Sequence, residues 1–267
     1  MRLSAEGITD KGLLKNNNED NFCVDLETGF FAVADGVGGS VFGEVASSTS
    51  MKAASEYIRS TASREKNCGI GADDRSGLTQ KLIDAISLAH KAIFDASRSN
   101  ISLQGMATTV AAVLIENSRM SIAHVGDSRV YLIRDGIIAQ LTEDHSLVAE
   151  QLRAGIITAE EAATSRIRNI ITRSLGQEDA VDIDSSEIAL MDGDRIILCT
   201  DGLTNMVPDE KILETVLSND EPGFCCRALV DLANKNGGKD NITVLLVYLK
   251  DHSIANTFLS FLRLVRR

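Results

Sequence analysis

The sequence predicts an α+β layered sandwich, in which antiparallel strands form the centre and helices lie outside them. Three observations predict this class. Between residues 108 and 141, short apolar runs alternate with polar turns such as Asp135-Gly136, and Asp-Gly between apolar runs is typical of a β-hairpin. Helical patterns stand in separate blocks instead of alternating with single strands. The chain has 267 residues and 44% hydrophobic content, which is enough for one domain with a substantial core.

The N-terminal part of the chain predicts two short strands followed by two helices that a polar loop separates. The second helix is amphipathic, because its apolar residues recur near helical spacing. The loop lacks any hydrophobic periodicity and contains several glycines. In chain order these segments are Leu3–Thr9, Phe30–Ala34, about Phe42–Arg59, the loop Ser60–Gly77 and about Leu78–Ser97.

The central part of the chain predicts four consecutive antiparallel strands. The C-terminal part predicts both helices and strands. The four strands are Val110–Ile115, Met120–Val125, Val130–Ile133 and Ile137–Leu141. Short helices follow over His145–Ile171. The remaining elements are two strands, two helices and a last strand: Val181–Leu190, Arg195–Thr200, about Asp209–Leu217, Gly223–Asn234 and Ile242–Leu249.

Charge and cysteine content restrict the class of function. The formal net charge of −11 argues against nucleic acid as a partner, because such binding needs Lys and Arg to neutralise phosphates. The five cysteines include no C-x-x-C pair, so the sequence predicts a reduced, cytoplasmic protein. No stretch approaches the roughly 20 apolar residues that span a bilayer.

Four aspartates stand next to the predicted strands. Asp35, Asp127 and Asp201 each follow an apolar run, whereas Asp240 precedes the last one. If these strands share one core, their ends can bring the four carboxylates to one edge. Taken singly, each aspartate is better explained as an ordinary turn residue. As a set they indicate a cation, because clustered carboxylates repel one another unless a cation offsets them.

The identity of the ligands indicates the kind of cation. No His or Cys accompanies the aspartates at ligand spacing, and oxygen ligands suit Mg²⁺, Mn²⁺ or Ca²⁺ better than zinc. Asn18-Glu19-Asp20 adds two carboxylates, and nearby Lys15 adds a positive charge that could hold a phosphate. For Lys15 alone, a solvated surface charge is the simpler interpretation.

Several segments together resemble one known family over nearly the whole chain, from Gly7 to about Leu249. In order they are Thr9-Asp10-Lys11-Gly12, Asn18-Glu19-Asp20, Val33-Ala34-Asp35-Gly36-Val37-Gly38-Gly39, Gly105-Met106-Ala107-Thr108-Thr109, Val125-Gly126-Asp127-Ser128-Arg129, Leu141-Thr142-Glu143-Asp144-His145-Ser146, Cys199-Thr200-Asp201-Gly202-Leu203 and Asp240-Asn241-Ile242-Thr243. The sequence resembles the bacterial branch of the metal-dependent PPM (protein phosphatase 2C type) serine/threonine phosphatases. The resemblance implies an α-β-β-α sandwich, with two antiparallel sheets packed face to face and helices on both sides.

The resemblance also implies a set of metal ligands. Asp35 corresponds to the carboxylate that bridges two Mn²⁺ or Mg²⁺ ions, and Asp201, Asp240 and the carbonyl of Gly36 complete the inner shell. Glu19 and Asp20 correspond to outer ligands that act largely through water. Asp127, with Asp201, corresponds to a weaker third ion. The implied reaction is hydrolysis of phosphoserine and phosphothreonine by water activated between two ions, with Asp35, Asp201 and Asp240 as the catalytic ligands.

Two positions depart from the family pattern. Lys15 stands where the family usually has Arg, which can grip a phosphate through two donors. Val37 stands where some eukaryotic members have a His proposed as the general acid, so leaving-group protonation must come from another source. Of the four histidines, His90 and His124 are predicted to be structural residues of an apolar helix and strand. His145 is predicted to organise the loop that precedes the next helices.

Two segments lie outside the core pattern. Residues 146–176 correspond to the family's flap subdomain, whose Arg166, Arg168 and Arg173 could meet phosphopeptides or be ordinary surface charges. The tail, residues 251–267, spaces apolar residues along one helical face and ends in arginines. It is expected to form a docked helix in a domain that otherwise ends near residue 250, with contact to a membrane or a partner as the alternative.

The resemblance leaves the physiological partner open. The expected partners are phosphoproteins, chiefly substrates of bacterial Ser/Thr kinases, and the protein is expected to be a monomer. One alternative is a regulatory phosphatase dedicated to one small phosphoprotein, such as an anti-sigma-factor antagonist. Another is a non-catalytic phosphoprotein-binding module on the same fold, against which the presence of Asp35, Asp201 and Asp240 argues.

Overall fold

The computed structural model describes residues 2–37, 42–68, 75–165 and 167–250. Two antiparallel sheets lie at its centre. The first sheet has the spatial order β1-β11-β10-β7-β8. Its strands are β1 (Arg2–Asp10), β7 (Arg129–Arg134), β8 (Ile137–Gln140), β10 (Arg195–Cys199) and β11 (Ile242–Lys250).

The second sheet has the spatial order β2-β3-β5-β6-β9, and the short β4 pairs with β3. Its strands are β2 (Asp20–Asp25), β3 (Phe30–Val37), β4 (Ala107–Thr108), β5 (Val110–Glu116), β6 (Arg119–Val125) and β9 (Asp184–Ala189). The helices are α1 (Phe42–Cys68), α2 (Arg75–Ser99), α3 (Leu147–Arg153), α4 (Ala159–Thr164), α5 (Asp201–Thr204), α6 (Asp209–Leu217) and α7 (Pro222–Lys235). A 3₁₀ turn covers Ile101–Leu103.

Strand alternation builds the layers, because successive side chains point to opposite faces of a sheet. In β3, Phe31 and Val33 join the cluster between the two sheets, whereas Phe30 and Ala32 pack in the cluster that contains α1 and α2. A third cluster joins the other face of the first sheet to α6 and α7. The result is the expected α-β-β-α sandwich.

The structure corrects several element bounds. The helix expected to end near Arg59 continues to Cys68, so part of the expected loop is helical. The hydroxyls of Ser60, Thr61 and Ser63 donate to carbonyl oxygens of the preceding turn, which lets these polar residues continue the helix. The next helix begins at Arg75 instead of Leu78. None of the helices in the described ranges is long and apolar enough to cross a membrane.

Strand β2 was not predicted, and it matters for the site. Its six residues carry aspartates at both ends and lack a long apolar run, so β propensity alone does not reveal it. Pairing with β3 makes it a strand and sets Asp20 directly opposite Asp35. The turn between β6 and β7, the start of α5 and the residues before β11 lie at the same end of the sandwich.

Candidate metal centre

Asp35 lies at the electrostatic centre of a group of carboxylates. Burial raises the pKa of its carboxyl well above the ordinary value, and four other carboxylates raise it further: Asp20, Asp201, Asp127 and Asp240. The backbone of Asp35 is held by β4 and the residue after it. Its N–H donates to Oγ1 of Thr109 at 3.0 Å, and its carbonyl oxygen accepts from the Thr108 hydroxyl at 2.8 Å.

Asp20 is buried and is held from one side only. The hydroxyls of Thr200, just after β10, and Thr243, the second residue of β11, donate to its Oδ2 at 2.8 and 2.6 Å and fix its orientation. Its Oδ1 is buried without a hydrogen-bond partner in the described structure. Burial raises the pKa of Asp20 to about 7, against the effect of the two hydroxyls, and the charges of Asp201 and Asp240 act in the same direction as burial.

Asp201 begins α5 and repeats this arrangement. The side-chain amide of Asn205 donates to its Oδ2 at 2.9 Å, whereas its Oδ1 is buried without a partner in the described structure. Burial, followed by the charge of Asp240, raises the pKa of Asp201 to about 6. Asp127, in the turn between β6 and β7, has its pKa raised to about 8 by burial and then by Asp201 and Asp144.

Asp240 precedes β11 and forms an ion pair with Lys15. The Lys15 side chain is 44% exposed, so the pair stands at the open side of the group. Burial is the largest effect on the pKa of Lys15 and lowers it, but the hydrogen bond and charge of Asp240 and the charges of Asp35 and Asp201 raise the pKa on balance. Lys15 is therefore a charged group beside the carboxylates and not an isolated surface lysine.

Glu19 and Gly36 lie beside the group and pack against the start of α1. The carboxylate of Glu19 accepts from the side-chain amide of Asn17 at 3.0 Å and lies against Gly43. The N–H of Gly36 donates to the carbonyl oxygen of Glu19 at 3.2 Å. A Cβ at Gly36 would clash with the backbone of Gly43, so the close approach of strand and helix requires glycine there.

These residues fit a hard divalent cation. Burying carboxylates without a compensating charge is costly, and the remaining lone pairs of Asp20 and Asp201 have no protein donor in the described structure. The group contains only oxygen donors, which suits Mg²⁺ or Mn²⁺. The structure therefore brings together five of the sequence-predicted ligands, Asp20, Asp35, Asp127, Asp201 and Asp240, with Glu19 and Gly36 adjacent.

The sequence did not single out the residues that hold the carboxylates. Thr200 and Thr243 are paired across β10 and β11, and Asn241 accepts the N–H of Glu19 at 2.8 Å through its Oδ1. The Asn241 amide also donates to the carbonyl oxygens of Lys11 and Asn17, both at 2.9 Å. Hydroxyl and amide residues adjoining the predicted aspartates were the available signal.

A second group of potential ligands, His124, His145 and Asp184, has ligand atoms within 4.8 Å of one another. Its hydrogen bonds argue against a metal. Nδ1 of His145 accepts from the N–H of Gly126 at 3.1 Å, so in the neutral ring the proton is on Nε2, which faces Oδ2 of Asp184 at 3.3 Å. Burial and the charge of His124 lower the pKa of His145, which favours this neutral form.

His124, which stacks on His145, is also held by hydrogen bonds to the protein. Nε2 of His124 lies 2.8 Å from the carbonyl oxygen of Glu143, which can only accept, and 3.3 Å from its N–H. We assign the proton to Nε2 on the shorter contact. The two rings stack with 4.6 Å between centroids and 23° between planes, so their lone pairs do not converge. Arg173 also pairs with Asp184 at 2.7 Å. This group is a hydrogen-bonded junction between the turn that carries Asp127 and the segment that follows β8.

A cavity of about 500 Å³ opens beside the carboxylates. Asp127 and Asp201 line one side, and α3 with the loop after α4 lines the other, including Leu152 and Arg168. Residues 146 and 171 form an isolated β-bridge that closes the base of this segment. Of the three arginines noted there, Arg173 is paired, Arg168 faces the cavity, and Arg166 lies outside the described residues, as does the tail 251–267.

Comparison with known proteins agrees with this architecture. The sequence model of the family "Protein phosphatase 2C" matches residues 2–242. The "Serine/threonine phosphatase stp" of Listeria monocytogenes is 39% identical over 248 residues, covering 92% of this chain and 95% of that protein.

Solved structures show the same fold. The crystal structure of the Mycobacterium tuberculosis serine/threonine phosphatase PstP/Ppp superposes with a TM-score of 0.83 at 35% identity, over 94% of this chain and 100% of that one. The catalytic domain of PstP in complex with two manganese ions superposes with a TM-score of 0.81 at 34% identity, over 93% of this chain and 99% of that one. From the extent of these matches, the chain belongs to the protein phosphatase 2C family.

Proposed function

We propose that this protein is a metal-dependent protein phosphatase that hydrolyses phosphoserine and phosphothreonine. The observation that carries the proposal is the buried carboxylate group, in which Asp20 and Asp201 each keep one oxygen without a protein partner in the described structure. Family membership and the two manganese ions in the PstP structure support the same function. The presence of Asp35, Asp201 and Asp240 argues against a non-catalytic binding module.

The proposed ligands are Asp35, Asp201, Asp240 and the carbonyl of Gly36 for two tightly held ions, with Glu19 and Asp20 outside them. Asp127 and Asp201 would hold a weaker third ion. When bound, Mn²⁺ or Mg²⁺ supplies Lewis-acid activation of water and neutralises charge on the phosphoryl group. The net reaction adds water to the phosphoester and releases the serine or threonine hydroxyl and phosphate, with no covalent phosphoenzyme.

The chain's own groups orient the substrate and hold the ligands in place. Thr200 and Thr243 keep Asp20 turned toward the centre, and Thr108 and Thr109 fix the backbone of Asp35. Lys15 stands at the open side in contact with Asp240. A cation on Asp240 would repel the ammonium, so Lys15 would then be available to donate to a phosphate oxygen.

The decisive assay measures phosphate release from phosphoserine, phosphothreonine and phosphotyrosine peptides by the purified protein, with Mn²⁺, with Mg²⁺ and with a chelator. We expect hydrolysis of the first two peptides, with either metal, and none with the chelator. Full activity in metal-free buffer would refute the metal-dependent mechanism. Tight phosphopeptide binding without hydrolysis in any metal would support the binding-module alternative instead.

Finer statements about the biological setting belong to the same proposal. We propose that residues 1–250 form the phosphatase domain, with residues 146–176 as a flap beside the metals. The substrates would be phosphoproteins made by bacterial Ser/Thr kinases, or one dedicated small phosphoprotein. We propose that the protein is a monomer in the cytoplasm, and the free thiols of Cys23, Cys199, Cys225 and Cys226 are consistent with that reducing compartment.

A further inference from the structure

We propose that Arg168 and the cavity beside the carboxylates bind an anionic group of the substrate that flanks the phosphorylated residue. This inference rests on the proposed function, because the cavity must receive the polypeptide on which the phosphate stands. The chemical class of the recognised group is a carboxylate side chain or a second phosphate. The substrate would therefore be an acidic or multiply phosphorylated segment.

The position of the cavity is the first observation. It is bounded by Asp127 and Asp201 on one side and by residues of the proposed flap on the other. A phosphorylated side chain directed at the carboxylates would leave its neighbours along the peptide next to this space. The volume of about 500 Å³ exceeds the need of a phosphate alone and falls within the usual range of ligand pockets.

The pairing of the cavity's arginines is the second observation. Arg129 donates to both oxygens of Asp144, at 2.9 and 2.7 Å. Arg153 pairs with Glu143 at 2.6 Å. Arg168, by contrast, is half-buried and has no hydrogen-bond or ion-pair partner in the part of the chain that the structure describes. A half-buried guanidinium without a partner is ready to bind an anion.

The charges facing Arg168 across the cavity favour an anion from outside the chain. Glu143 and Asp144 are already neutralised by their own arginines. Asp127 and Asp201 are the remaining acidic groups of the wall, and in the proposed function they hold cations. With those carboxylates offset by cations, Arg168 is left as an uncompensated positive charge on the cavity wall.

The apolar part of the wall suggests the shape of the ligand. Val148, Ala149 and Leu152 of α3 line the cavity together with the arginines. A glutamate side chain presents methylenes to such a surface and a carboxylate to a guanidinium, which can grip it through two donors. Glutamate should therefore be preferred to its uncharged amide at one position near the phosphorylated residue.

The test compares phosphothreonine peptides in which glutamate, glutamine or phosphoserine is moved along both flanks. With Mn²⁺ present, the wild-type protein should show about tenfold or higher kcat/KM for the glutamate peptide over the glutamine peptide at one position, because a charge-assisted hydrogen bond is gained there. Phosphoserine at that position should be at least equal to glutamate. The variants are Arg168→Ala, Arg168→Lys and Arg168→Glu.

We expect the preference for glutamate to vanish in Arg168→Ala, to fall in Arg168→Lys and to reverse in Arg168→Glu. The matched control is Arg227→Glu, which makes the same change of net charge on the exposed surface of α7 and should keep the wild-type preference. Hydrolysis of p-nitrophenyl phosphate, a small ester without flanking residues, is measured for each variant, and the peptide preference is taken as the ratio of kcat/KM for glutamate over glutamine within that variant, so that a general change in catalysis cancels.

The outcomes separate this inference from the proposed function. If the wild-type protein hydrolyses p-nitrophenyl phosphate with Mn²⁺ but treats glutamate and glutamine peptides alike at every position, the anionic subsite is wrong while the phosphatase stands. If the preference for glutamate over glutamine persists in Arg168→Glu, the anionic subsite is likewise wrong while the phosphatase stands. If the wild-type protein hydrolyses neither substrate with Mn²⁺ or Mg²⁺, the proposed function fails itself and this inference fails with it.

Discussion

At the scale of single residues, a carboxylate of this group can have one oxygen held by hydrogen bonds and the other without a partner in the described structure. Asp20 illustrates this, because two threonine hydroxyls hold its Oδ2 while Oδ1 has no partner in the described structure. Hydrogen bonds to one oxygen fix the direction of the other, in the way that outer partners orient metal ligands. Neutral hydroxyl donors thus orient the carboxylate, and its negative charge remains to be neutralised by a cation.

Replacing Asp35 by Asn should abolish metal-dependent hydrolysis, because Asp35 faces four other carboxylates and is the proposed bridging ligand. The same change should raise the melting temperature of the protein in chelator, since it removes one buried charge from a repelling group at nearly constant volume. Circular dichroism melts and Mn²⁺-dependent phosphate release measure the two effects. Retained turnover in Asp35→Asn would disprove the bridging role.

Lys15 offers a second test at the same scale. Lys15→Ala should lower kcat/KM for phosphopeptides about tenfold to a hundredfold, the cost of a lost charge-assisted hydrogen bond. Lys15→Arg should lower the KM, because a guanidinium can bind two phosphate oxygens. Steady-state kinetics separate a ground-state role, seen in the KM, from a transition-state role, seen in kcat. If neither variant changes either constant, another cation binds the phosphate.

At the scale of elements, the turn between β6 and β7 carries Asp127 and is clamped by the segment after β8. Gly126 donates its N–H to Nδ1 of His145, and its carbonyl oxygen accepts the His145 N–H at 2.9 Å. The carbonyl oxygen of His145 accepts from Thr172 at 2.8 Å. One buried histidine therefore joins the turn that carries the proposed third-ion ligand to both ends of the proposed flap, residues 146–176.

His145→Ala should weaken the third ion in the way that Asp127→Ala does, while both variants keep the two tight ions. His145→Asn should restore binding, because its Oδ1 can accept from Gly126 where Nδ1 does. His145→Gln should not, since its acceptor lies farther from the backbone. Calorimetric titration with Mn²⁺ measures the three affinities, and equal third-ion binding in all His145 variants would contradict the clamp.

The matched control for this series is His90→Ala. His90 is also buried, and its Nδ1 also accepts a glycine N–H, that of Gly176 at 3.2 Å. Because no hydrogen bond or ring contact among the described residues links it to the turn that carries Asp127, its loss should lower the melting temperature without changing third-ion affinity. A drop in third-ion affinity in His90→Ala as well would mean that general destabilisation, and not the clamp, explains the His145 series.

The sequence predicts an element well where local pattern and tertiary pairing agree. Phe30–Phe31–Ala32–Val33–Ala34 is buried on both faces and reads as a strand without further information. Strand β2 depends on its register against β3, and α5 is a single short turn after β10. The aspartates could be placed at strand ends from the sequence. The contacts of Asp20 with Thr200 and Thr243 could not, because they depend on how the two sheets stack.

At the scale of the whole molecule, the sandwich encloses a group of carboxylates whose burial lowers the stability of the fold. Two sheets and their helices enclose three apolar clusters, and the carboxylates are held where the strands of both sheets end. Burial raises the pKa of Asp201, Asp20 and Asp127 to about 6, 7 and 8, compared with an ordinary 3.8. The fold must therefore offset the free energy of holding these groups together, unless protons or cations do so.

This opposition predicts how stability depends on pH and metal. Since these pKa values are raised in the folded state, the metal-free folded protein binds more protons than the unfolded chain between about pH 4 and pH 8. Its free energy of unfolding should therefore fall as the pH rises through that window.

Cations bind the deprotonated carboxylates, so Mn²⁺ should stabilise the protein more at pH 8 than at pH 6. At a concentration a hundredfold above its Kd, each bound Mn²⁺ should add about 2.7 kcal/mol, or about 5–10 °C in melting temperature. Thermal melts in chelator and in Mn²⁺ at both pH values measure this, with Asp35→Asn as the control that should lose most of the metal-dependent shift. A metal-free melting temperature that rises between pH 6 and pH 8, or one that Mn²⁺ leaves unchanged at pH 8, would show that these carboxylates are not the cation site.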